Sequence, residues 1–431
     1  MTNTSELFVQ IARGVRAGQR KLAAASPDLR STVLCEIARL LLDRRVELLD
    51  ANRLDREQAA RDGVAAALMA RLTLDDKKLD TLRAGLEALA SSDDPVGRPL
   101  RRMLLDEGLE LTQVASPLGV LLVIFESRPD AVIQIGSLAV RSGNGVILKG
   151  GAEAARSNAA LVACLRDALA AHGLDPDAVH AVQGRDDVYR LLELDSDIDL
   201  VIPRGSGSLV RSIRASTKIP VLGHADGVCM VYVDRAADAR TTLRVLVDGK
   251  CDYPAACNAT ETVLVHREAI DVFRPAAEAL RAAGVEIRAD DVLRDVLPWT
   301  KPAQEQDGRI EYGALILAAR TVCSIDEAIA YINGNGSAHT DAIVTQDEQA
   351  ADRFLREVDS ASVFHNASTR MADGFRYGLG AEVGISTSRI HARGPVGVDG
   401  LMTTRWLLRG HGQGASDYGP GKRAFLHKRL S

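Results

Sequence analysis

Strand-like and helix-like segments alternate along the chain from residue 118 onward. Residues 119–125 and 145–149 are apolar runs typical of buried strands, and the next segment, 154–172, has helical spacing. A second run of this kind, with three strand-like segments, lies between residues 261 and 365. Strands separated by helices pair in parallel and are covered by helices on both faces. The sequence therefore predicts an α/β fold with parallel sheets.

The first hundred residues have a different pattern. Leu34, Ile37 and Leu48 recur near helical spacing within residues 1–95, so we expect helices there. Residues 100–117 then change to extended-looking segments. At 431 residues the chain exceeds one ordinary core, which favours two domains or one elaborated α/β unit.

The composition excludes several functional classes. Apolar residues make up 46% of the chain and the formal net charge is −5, which argues against a nucleic-acid surface. The longest apolar run, 120–125, is too short to span a bilayer, and residues 1–13 lack the pattern of a secretory signal. Six cysteines without a C-x-x-C pair indicate reduced thiols. We therefore expect a cytoplasmic protein without a membrane or nucleic-acid partner.

One cysteine, Cys257, lies in a segment that suits chemistry. Residues 251–262 read CDYPAACNATET and run into a strand-like segment at 263–266. A thiol at a turn near a strand edge can attack a substrate, and Asn258 and nearby backbone N–H groups could stabilise an oxyanion. A lone cysteine is otherwise a small buried apolar residue, and Cys251 is equally reactive in principle, so the pattern leaves these alternatives open.

The segment around Cys257 resembles the active-site loop of the gamma-glutamyl phosphate reductases, a branch of the aldehyde dehydrogenase superfamily. Nine further blocks occur in the order of that family. They are SPLGV (116–120), FESRP (125–129), RSGNGVILKGG (141–151), IPRGS (202–206), GHADGVC (223–229), SAHT (337–340), NASTR (366–370), GLGAEVGIS (378–386) and HARGP (391–395). On these residues the chain is identified as a member of that family.

The resemblance implies an aldehyde dehydrogenase-like α/β fold with three parts. The first is a Rossmann-type NADP-binding domain at 1–99 and 118–226, and the second is an α/β catalytic domain at 227–395. The third is a small β oligomerisation arm at 100–117 with a C-terminal return at 396–431. The arm predicts a homo-oligomer, with dimer and tetramer both open.

A glycine-containing turn predicts a place for a nucleotide. Residues 198–202 are strand-like and run into PRGSGS (203–208) and a helix-like segment. Backbone N–H groups and the positive end of the helix dipole at such a turn favour a pyrophosphate, although the turn is not a G-x-G-x-x-G fingerprint. The resemblance places Gly205 and Ser206 beside the cofactor pyrophosphate.

The same resemblance predicts NADP(H) as the cofactor. In the superfamily a lysine equivalent to Lys149 binds the adenosine ribose, and NAD-preferring members have a glutamate three positions later. Ala152 stands at that position here, with Glu153 one residue on. A missing carboxylate removes repulsion against a 2′-phosphate, which favours NADP(H). Glu311 matches the glutamate that holds the nicotinamide ribose.

The segment before Cys257 bears on the reaction. Hydrolytic aldehyde dehydrogenases use a glutamate there as a general base, whereas residues 222–228 (LGHADGV) contain none and Asp226 is shorter and displaced. Ser127 stands where the superfamily has an oxyanion-binding asparagine, which leaves the backbone N–H of Cys257 for that role. The resemblance implies NADPH-dependent reduction of L-glutamyl 5-phosphate to L-glutamate 5-semialdehyde through a Cys257 thioester, in proline biosynthesis.

A substrate with a phosphate and a carboxylate needs cationic side chains near the thiol. The candidates all lie in or beside family-like blocks: Arg128, Lys250, His339, Arg370 and Arg393. The sequence assigns none of them to the phosphate or the carboxylate. No histidine or carboxylate spacing indicates a metal site, so we expect no metal.

Two other functions stay open at this point. A hydrolytic NAD-dependent aldehyde dehydrogenase would turn over without phosphate, and the missing glutamate argues against it. A nucleotide-binding scaffold without catalysis would not need a reactive thiol, and the intact Cys257 loop argues against that. The sequence also leaves open the size of the NADPH preference and whether a glutamate kinase associates with the protein to shield the acyl phosphate.

Overall fold

The computed structural model describes residues 4–224 and 226–430. These residues form fourteen α-helices: α1 (Thr4–Ala24), α2 (Pro27–Asp43), α3 (Arg45–Arg61), α4 (Ala66–Leu72), α5 (Asp76–Ser91), α6 (Asp130–Ser142), α7 (Ala155–Ala171), α8 (Arg185–Leu192), α9 (Gly207–Ser216), α10 (Ala239–Cys251), α11 (Ile270–Ala282), α12 (Asp291–Val296), α13 (Ile325–Asn335) and α14 (Glu348–Glu357). The helices expected within residues 1–95 are confirmed as α1 to α5, and residues 1–3 lie outside the described part.

The strands of the described residues form three large sheets and one two-stranded sheet. The arm sheet contains β1 (Pro99–Asp106), β2 (Leu109–Pro117), β16 (Met402–Arg409) and β17 (Lys428–Leu430). The first sheet contains β3 (Val120–Phe125), β4 (Gly145–Lys149), β5 (Val179–Val182) and β6 (Leu200–Arg204). The second sheet contains β7 (Cys229–Val233), β8 (Thr260–His266), β9 (Glu286–Ala289), β10 (Lys301–Pro302), β11 (Ile316–Val322), β12 (Thr340–Val344) and β13 (Ser362–His365). The small sheet pairs β14 (Ile385–Ser386) with β15 (Gly394–Pro395).

The first sheet is parallel, in the order β5-β4-β3-β6. Every residue of β3 is buried, because its sequence VLLVIF is apolar on both faces. The pairing places Ile124 beside Lys149 and Phe125 beside Arg204, so the carboxyl ends of three strands meet. We call this the carboxyl edge of the first sheet. Open α/β sheets bind ligands at such an edge.

The second sheet is also parallel, in the order β10-β9-β11-β8-β7-β12-β13. β7, β8 and β12 are buried throughout and lie side by side, with Cys229 beside Thr260 and Met230 beside Asp341. Residues that precede these three strands therefore meet at one end, the amino edge of the second sheet. Residues 217–228 connect α9 with β7 and lead from the first sheet to this edge.

The arm sheet is antiparallel, in the order β16-β2-β1-β17. It confirms the extended segments expected at 100–117 and joins them to the C-terminal part of the chain. Trp406 and Leu408 on β16 are large apolar side chains that remain half exposed. The predicted fold class, with two parallel α/β sheets and a small β arm, is confirmed, while the domain limits and the role of the arm stay predictions.

A search for membrane spans gives a negative result for residues 4–224 and 226–430. No helix among them combines the length and the apolar character needed to cross a bilayer.

Candidate active site

Cys257 lies in the turn that connects α10 to β8, at the amino edge of the second sheet. The helix ends at Cys251, and Pro254, which has no backbone N–H, follows in the turn. The N–H of Ala259 donates to the carbonyl oxygen of Ala256 at 2.9 Å and closes the turn onto β8. Cys257 is partly exposed, whereas two other cysteines are buried. Its thiol is therefore accessible.

Two side chains fasten this turn. Asn258 is buried, its Nδ2 donates to the carbonyl oxygen of Ala372 at 2.8 Å, and its Oδ1 accepts from Arg370. Nε of Arg370 also donates to the carboxylate of Asp252 at 3.1 Å. The sequence predicts an oxyanion contact for Asn258 and a substrate contact for Arg370. In the structure both side chains have partners within the protein, which supports a positioning role for each.

The backbone of Gly227 lies against the backbone of Cys257. A Cβ at position 227 would lie 2.7 Å from the Cα of Cys257 and would overlap its carbonyl oxygen, so only glycine allows this approach. The N–H of Gly227 donates to Oε2 of Glu311 at 2.7 Å. Glu311, predicted to hold the cofactor, therefore also fixes the segment that supports Cys257.

Arg204 is a cationic residue whose charge interacts with Cys257 and with Arg128. Arg204 ends β6, and burial lowers the pKa of its guanidinium, as does the neighbouring charge of Arg128, whereas Glu382 and Cys257 raise it. Nη1 of Arg204 donates to the backbone carbonyl of Glu382 at 3.3 Å, and other N–H groups of the guanidinium can still donate to an anion. Arg128 is 43% exposed and pairs with Asp130 at 3.3 Å.

Lys250 and Glu261 form a fully buried ion pair beside the Cys257 turn. Nζ of Lys250 lies 2.6 Å from Oε2 of Glu261, and neither side chain has solvent access. Burial raises the pKa of Glu261 to about 7 and lowers the pKa of Lys250, because buried charges lose hydration, while the attraction within the pair opposes both shifts. The ammonium group of Lys250 is paired with Glu261 and buried, which argues against the predicted contact between Lys250 and the substrate.

Two histidines accompany Cys257. His339 is fully buried just before β12, its Nδ1 lies 2.9 Å from Oγ1 of Thr340, and its buried Nε2 has no partner within the described residues. Nδ1 of His224 lies 2.7 Å from the carbonyl oxygen of Ile385. The two rings meet edge to face with centroids 4.8 Å apart.

Arg393, the remaining predicted cationic residue, forms an ion pair with Asp359. Nη1 of Arg393 donates to the carboxylate of Asp359, and Nη2 donates to the backbone carbonyl of the same residue, both at 2.9 Å. Of the five predicted cationic residues, the structure thus brings His339 to the thiol and Arg128 to its neighbour Arg204.

The carboxyl edge of the first sheet holds the predicted cofactor residues. Lys149 ends β4, and Gly205 follows β6. A Cβ at Gly205 would lie 2.8 Å from Oε2 of Glu126 and from Cδ2 of Leu209, which are ends of flexible side chains, so Gly205 leaves room at the start of α9. Oγ of Ser206 caps α9 by accepting from the N–H of Leu209 at 3.4 Å. The start of α9 is therefore suited to an anion, as predicted for a pyrophosphate.

An apolar cavity of about 100 Å³ lies at the same edge. Gly150, Gly151 and Ala152 line it, together with Asn158, whose buried Oδ1 has no partner among the described residues. A buried acceptor without a donor fits a ligand that brings an N–H, such as the amino group of adenine. The residues at this edge therefore fit a dinucleotide cofactor.

Glu153 is engaged with Ser127. Its Oε1 accepts from the backbone N–H of Ser127 at 2.8 Å and from Oγ at 2.5 Å. The backbone N–H and the hydroxyl of Ser127 therefore both donate to Glu153. Ser127 is thus engaged within the protein, at the position where the superfamily has its oxyanion-binding asparagine. The same contacts hold the carboxylate of Glu153, the acid nearest in sequence to Ala152.

Sequence reasoning missed three residues of this site. Arg204 lies inside the IPRGS block, where the glycine and serine that follow it carried the prediction. His224 and Gly227 lie inside GHADGVC, which was interpreted mainly by its lack of glutamate, and Ala225 of that block is outside the described residues. Their position at the thiol depends on how the two sheets meet, which no local pattern records.

Known proteins share this arrangement and sequence. A profile of the aldehyde dehydrogenase family matches residues 3–295. A gamma-glutamyl phosphate reductase from Cyanothece sp. is 49% identical over 432 residues, with 100% of both chains covered. The one from Synechococcus elongatus is 50% identical over 429 residues, with 99% of each chain covered. The crystal structure of gamma-glutamyl phosphate reductase from Thermotoga maritima matches with a TM-score of 0.91 at 36% identity, covering 94% of this chain and 99% of that one.

Gly227→Ala should displace the Cys257 turn, because the added Cβ meets backbone atoms. We expect a loss of about 1–3 kcal/mol in the free energy of unfolding. Any activity that requires the thiol should fall about 100-fold. Gly334→Ala in α13 is the matched control, since no atom lies within 4 Å of its Cβ, and it should be neutral or stabilising. Urea unfolding of both variants checks this, and equal effects would contradict the backbone contact.

Substitutions at Lys250 and Glu261 should have strongly non-additive effects on the free energy of unfolding, because the two side chains form a buried ion pair. Lys250→Met and Glu261→Met should each destabilise the protein by about 3–5 kcal/mol, because each leaves one buried charge without its partner. The double variant removes both charges and should be close to wild type in urea unfolding. A double variant as unstable as the two single losses combined would show that the two side chains act independently.

Proposed function

Since the chain belongs to the gamma-glutamyl phosphate reductase family of aldehyde dehydrogenases and is an oxidoreductase of proline biosynthesis, we propose that Cys257 is its nucleophile and NADPH its reductant. Its reaction is the reduction of L-glutamyl 5-phosphate to L-glutamate 5-semialdehyde. One observation carries the assignment of the nucleophile. The partly exposed Cys257 lies at the amino edge of the second sheet, where its Sγ and one ring nitrogen each of His224 and His339 lie within 4.8 Å of one another.

The chemistry begins at the sulfur. The Cys257 thiolate attacks the acyl carbon, a carbon–sulfur bond forms, and the carbon–oxygen bond to phosphate breaks, so phosphate leaves with the electron pair. When bound, NADPH supplies a hydride to the thioester carbonyl carbon. The resulting oxyanion re-forms a carbonyl and expels the thiolate, which releases the semialdehyde. The backbone N–H of Cys257 is the oxyanion donor in this proposal, with Asn258 holding the turn.

Arg128 and Arg204 are the proposed anion-binding residues. The charge of Arg128 lowers the pKa of the Arg204 guanidinium and the carboxylate of Glu382 raises it, so an anionic substrate group bound near both arginines would add to the stabilisation that Glu382 gives. His339 completes the polar wall on the other side of the thiol. We assign structural roles to Lys250, Arg370 and Arg393, whose cationic groups have protein partners, so the Lys250→Met/Glu261→Met double variant should keep the wild-type KM.

The lack of a glutamate in residues 222–228, where hydrolytic aldehyde dehydrogenases have their base, supports phosphate rather than water as the partner in the reverse direction. Asp226, the acid nearest the expected position, pairs with Nη1 of Arg211 at 2.7 Å on the surface. Its carboxylate is therefore not poised for deacylation, and a thioester on Cys257 can persist until phosphate arrives. This is the feature that separates the proposal from a hydrolytic NAD-dependent aldehyde dehydrogenase.

The choice of NADPH over NADH rests on Lys149 and Ala152. The family uses nicotinamide dinucleotides, and the cavity beside Ala152 with the free Oδ1 of Asn158 fits the adenine end of one. Glu153 directs its carboxylate to Ser127, so the charge available near Lys149 for a 2′-phosphate is positive. Gly205 and Ser206 would hold the pyrophosphate, and Glu311 the nicotinamide ribose.

We also propose a homo-oligomer built through the arm sheet. Among the described residues β16 is an edge strand that pairs with β2, and Trp406 and Leu408 are 49% and 58% exposed. A free edge with apolar side chains favours a second copy of the chain. The free cysteines are in keeping with a cytoplasmic location. Association with a glutamate kinase stays a prediction.

Phosphate-dependent reduction of NADP⁺ by L-glutamate 5-semialdehyde tests the proposed reaction. Cys257→Ala should abolish this activity while NADPH binding, followed by fluorescence, stays nearly intact, because the pocket remains and the nucleophile is lost. Cys251→Ser is the matched control and should retain most of the turnover, since burial raises the pKa of the Cys251 thiol. An active Cys257→Ala with an inactive Cys251→Ser would assign the mechanism to the other sulfur.

Ala152→Glu should weaken NADPH binding by about tenfold or more, about 1.4 kcal/mol, and affect NADH much less. The introduced carboxylate would repel the 2′-phosphate. Ala152→Gln is the control for bulk without charge and should leave the NADPH preference in place. Equal losses for both cofactors in a binding titration would show that position 152 does not sense the phosphate.

Charges on the face of β16 that carries Trp406 and Leu408 should dissociate the oligomer. We expect Trp406→Glu/Leu408→Glu to sediment as a smaller species than wild type, because buried unpaired carboxylates disfavour the interface. Thr403→Glu, on the opposite face of the same strand, is the control and should keep the wild-type assembly. Unchanged sedimentation of the double variant would remove this face of the arm from the interface.

A further inference from the structure

Three side chains from distant parts of the chain meet at the thiol. Sγ of Cys257 and one ring nitrogen each of His224 and His339 lie within 4.8 Å of one another. His224 belongs to the connection between the two sheets, while Cys257 and His339 precede β8 and β12, which flank β7. No spacing along the sequence could indicate this cluster, and the sequence alone predicts no metal here.

The hydrogen bonds of the two rings leave one nitrogen of each available. Nδ1 of His224 faces the carbonyl oxygen of Ile385 at 2.7 Å, which can only accept, so Nδ1 carries the proton and Nε2 keeps its lone pair. Nδ1 of His339 lies 2.9 Å from Oγ1 of Thr340, and its Nε2 is buried without a partner in the described part of the chain. Metal-binding histidines are held in this way through their second nitrogen.

We propose that Cys257, His224 and His339 bind a zinc ion. Thiolate and imidazole are ligands that Zn²⁺ prefers, whereas Mg²⁺ and Ca²⁺ prefer oxygen. Ligand atoms around tetrahedral zinc lie about 3.2–3.8 Å apart, given bonds of about 2.0–2.3 Å. Atoms already within 4.8 Å reach that spacing by small side-chain rotations. Three protein ligands leave the fourth position to water.

Zinc binding consumes the thiol proton without a redox change. The S–H bond of Cys257 breaks, a sulfur–zinc bond forms and the proton passes to solvent, while both imidazoles bind as neutral rings. Zinc then competes with the acyl substrate for the same sulfur lone pair. This consequence rests on the proposed function, whereas the metal site itself does not. Inhibition by Zn²⁺ should be relieved by a chelator and reduced by the acyl substrate.

A Co²⁺ titration of the reduced, full-length enzyme tests the site, because Co²⁺ takes zinc-like ligands and reports them by absorption. We expect one Co²⁺ per chain, with a thiolate-to-cobalt charge-transfer band that Zn²⁺ abolishes by displacement. Cys257→Ala should lack the band. His224→Gln and His339→Gln should each weaken Co²⁺ binding by at least about 10–100-fold, because the loss of a residue that only hydrogen-bonds to a metal ligand already has an effect of that size.

Matched controls address neighbouring thiols and imidazoles. Cys251→Ser and the exposed His411→Gln lie outside the cluster and should bind Co²⁺ as the wild type does. Circular dichroism establishes whether each variant is folded. If one of the two histidine variants misfolds, Co²⁺ binding by the other still tests the site. A wild type without the band, or a band unchanged in Cys257→Ala or in a folded histidine variant, would overturn the proposal.

Activity separates this inference from the proposed function. If Co²⁺ binds through the cluster but Cys257→Ala retains phosphate-dependent turnover, the metal site stands and the nucleophile is wrongly assigned. If Cys257→Ala is inactive and the wild type binds no Co²⁺, the nucleophile stands and the metal site is wrong.

Discussion

The backbone contact between Gly227 and Cys257 joins the two halves of the site. Gly227 ends the connection that comes from the first sheet, and Cys257 belongs to the turn that starts β8 in the second. Because backbone meets backbone, the position of the thiol does not depend on a flexible side chain in between. Glu311 accepts from the N–H of Gly227, and Asn258 with Arg370 holds the far side of the turn. The cysteine is thus fixed from both sheets.

Burial and partners separate the cations that build the site from those that can bind a substrate. Lys250, Arg370 and Arg393 each have an acidic partner. Lys250 is fully buried with Glu261, so a substrate anion that bound to Lys250 would leave the buried carboxylate of Glu261 without its partner. Arg128 also has an acidic partner, Asp130, but its side chain is 43% exposed, and Nη1 of Arg204 donates to a backbone carbonyl instead of a carboxylate, so both keep N–H groups for an anion. This distinction depends on three-dimensional neighbours, whereas the sequence predicts a substrate contact for all five cationic residues.

Much of the fold could be predicted because its strands are short apolar runs with clear limits. β3 and β4 form where residues 119–125 and 145–149 predict them, within one residue. The strand expected at 198–202 forms two residues later, as Leu200–Arg204. Periodicity identifies an apolar segment well but does not decide at which residue the hydrogen bonding to the neighbouring strand begins.

The site was predictable where one segment carries it and not where two segments meet. The turn at Cys257 follows from Pro254 and the polar residues around it. The approach of His224 and His339 follows from the strand order β8-β7-β12 and from the way the connection crosses between sheets, and neither is written in a local pattern. Asn258 illustrates the same limit, since its amide was expected at the substrate and instead holds Ala372 and Arg370.

The proposed reaction requires that Cys257 carries an acyl group that water does not remove efficiently. To measure this, the enzyme is mixed with L-glutamate 5-semialdehyde and NADP⁺ in buffer without phosphate, NADPH is followed, and the quenched protein is analysed by mass spectrometry. We expect one rapid turnover per active site, little further NADPH, and a glutamyl group on the peptide that contains Cys257, which added phosphate removes. Sustained turnover without phosphate, or an adduct on a different cysteine, would show that the reaction takes another course.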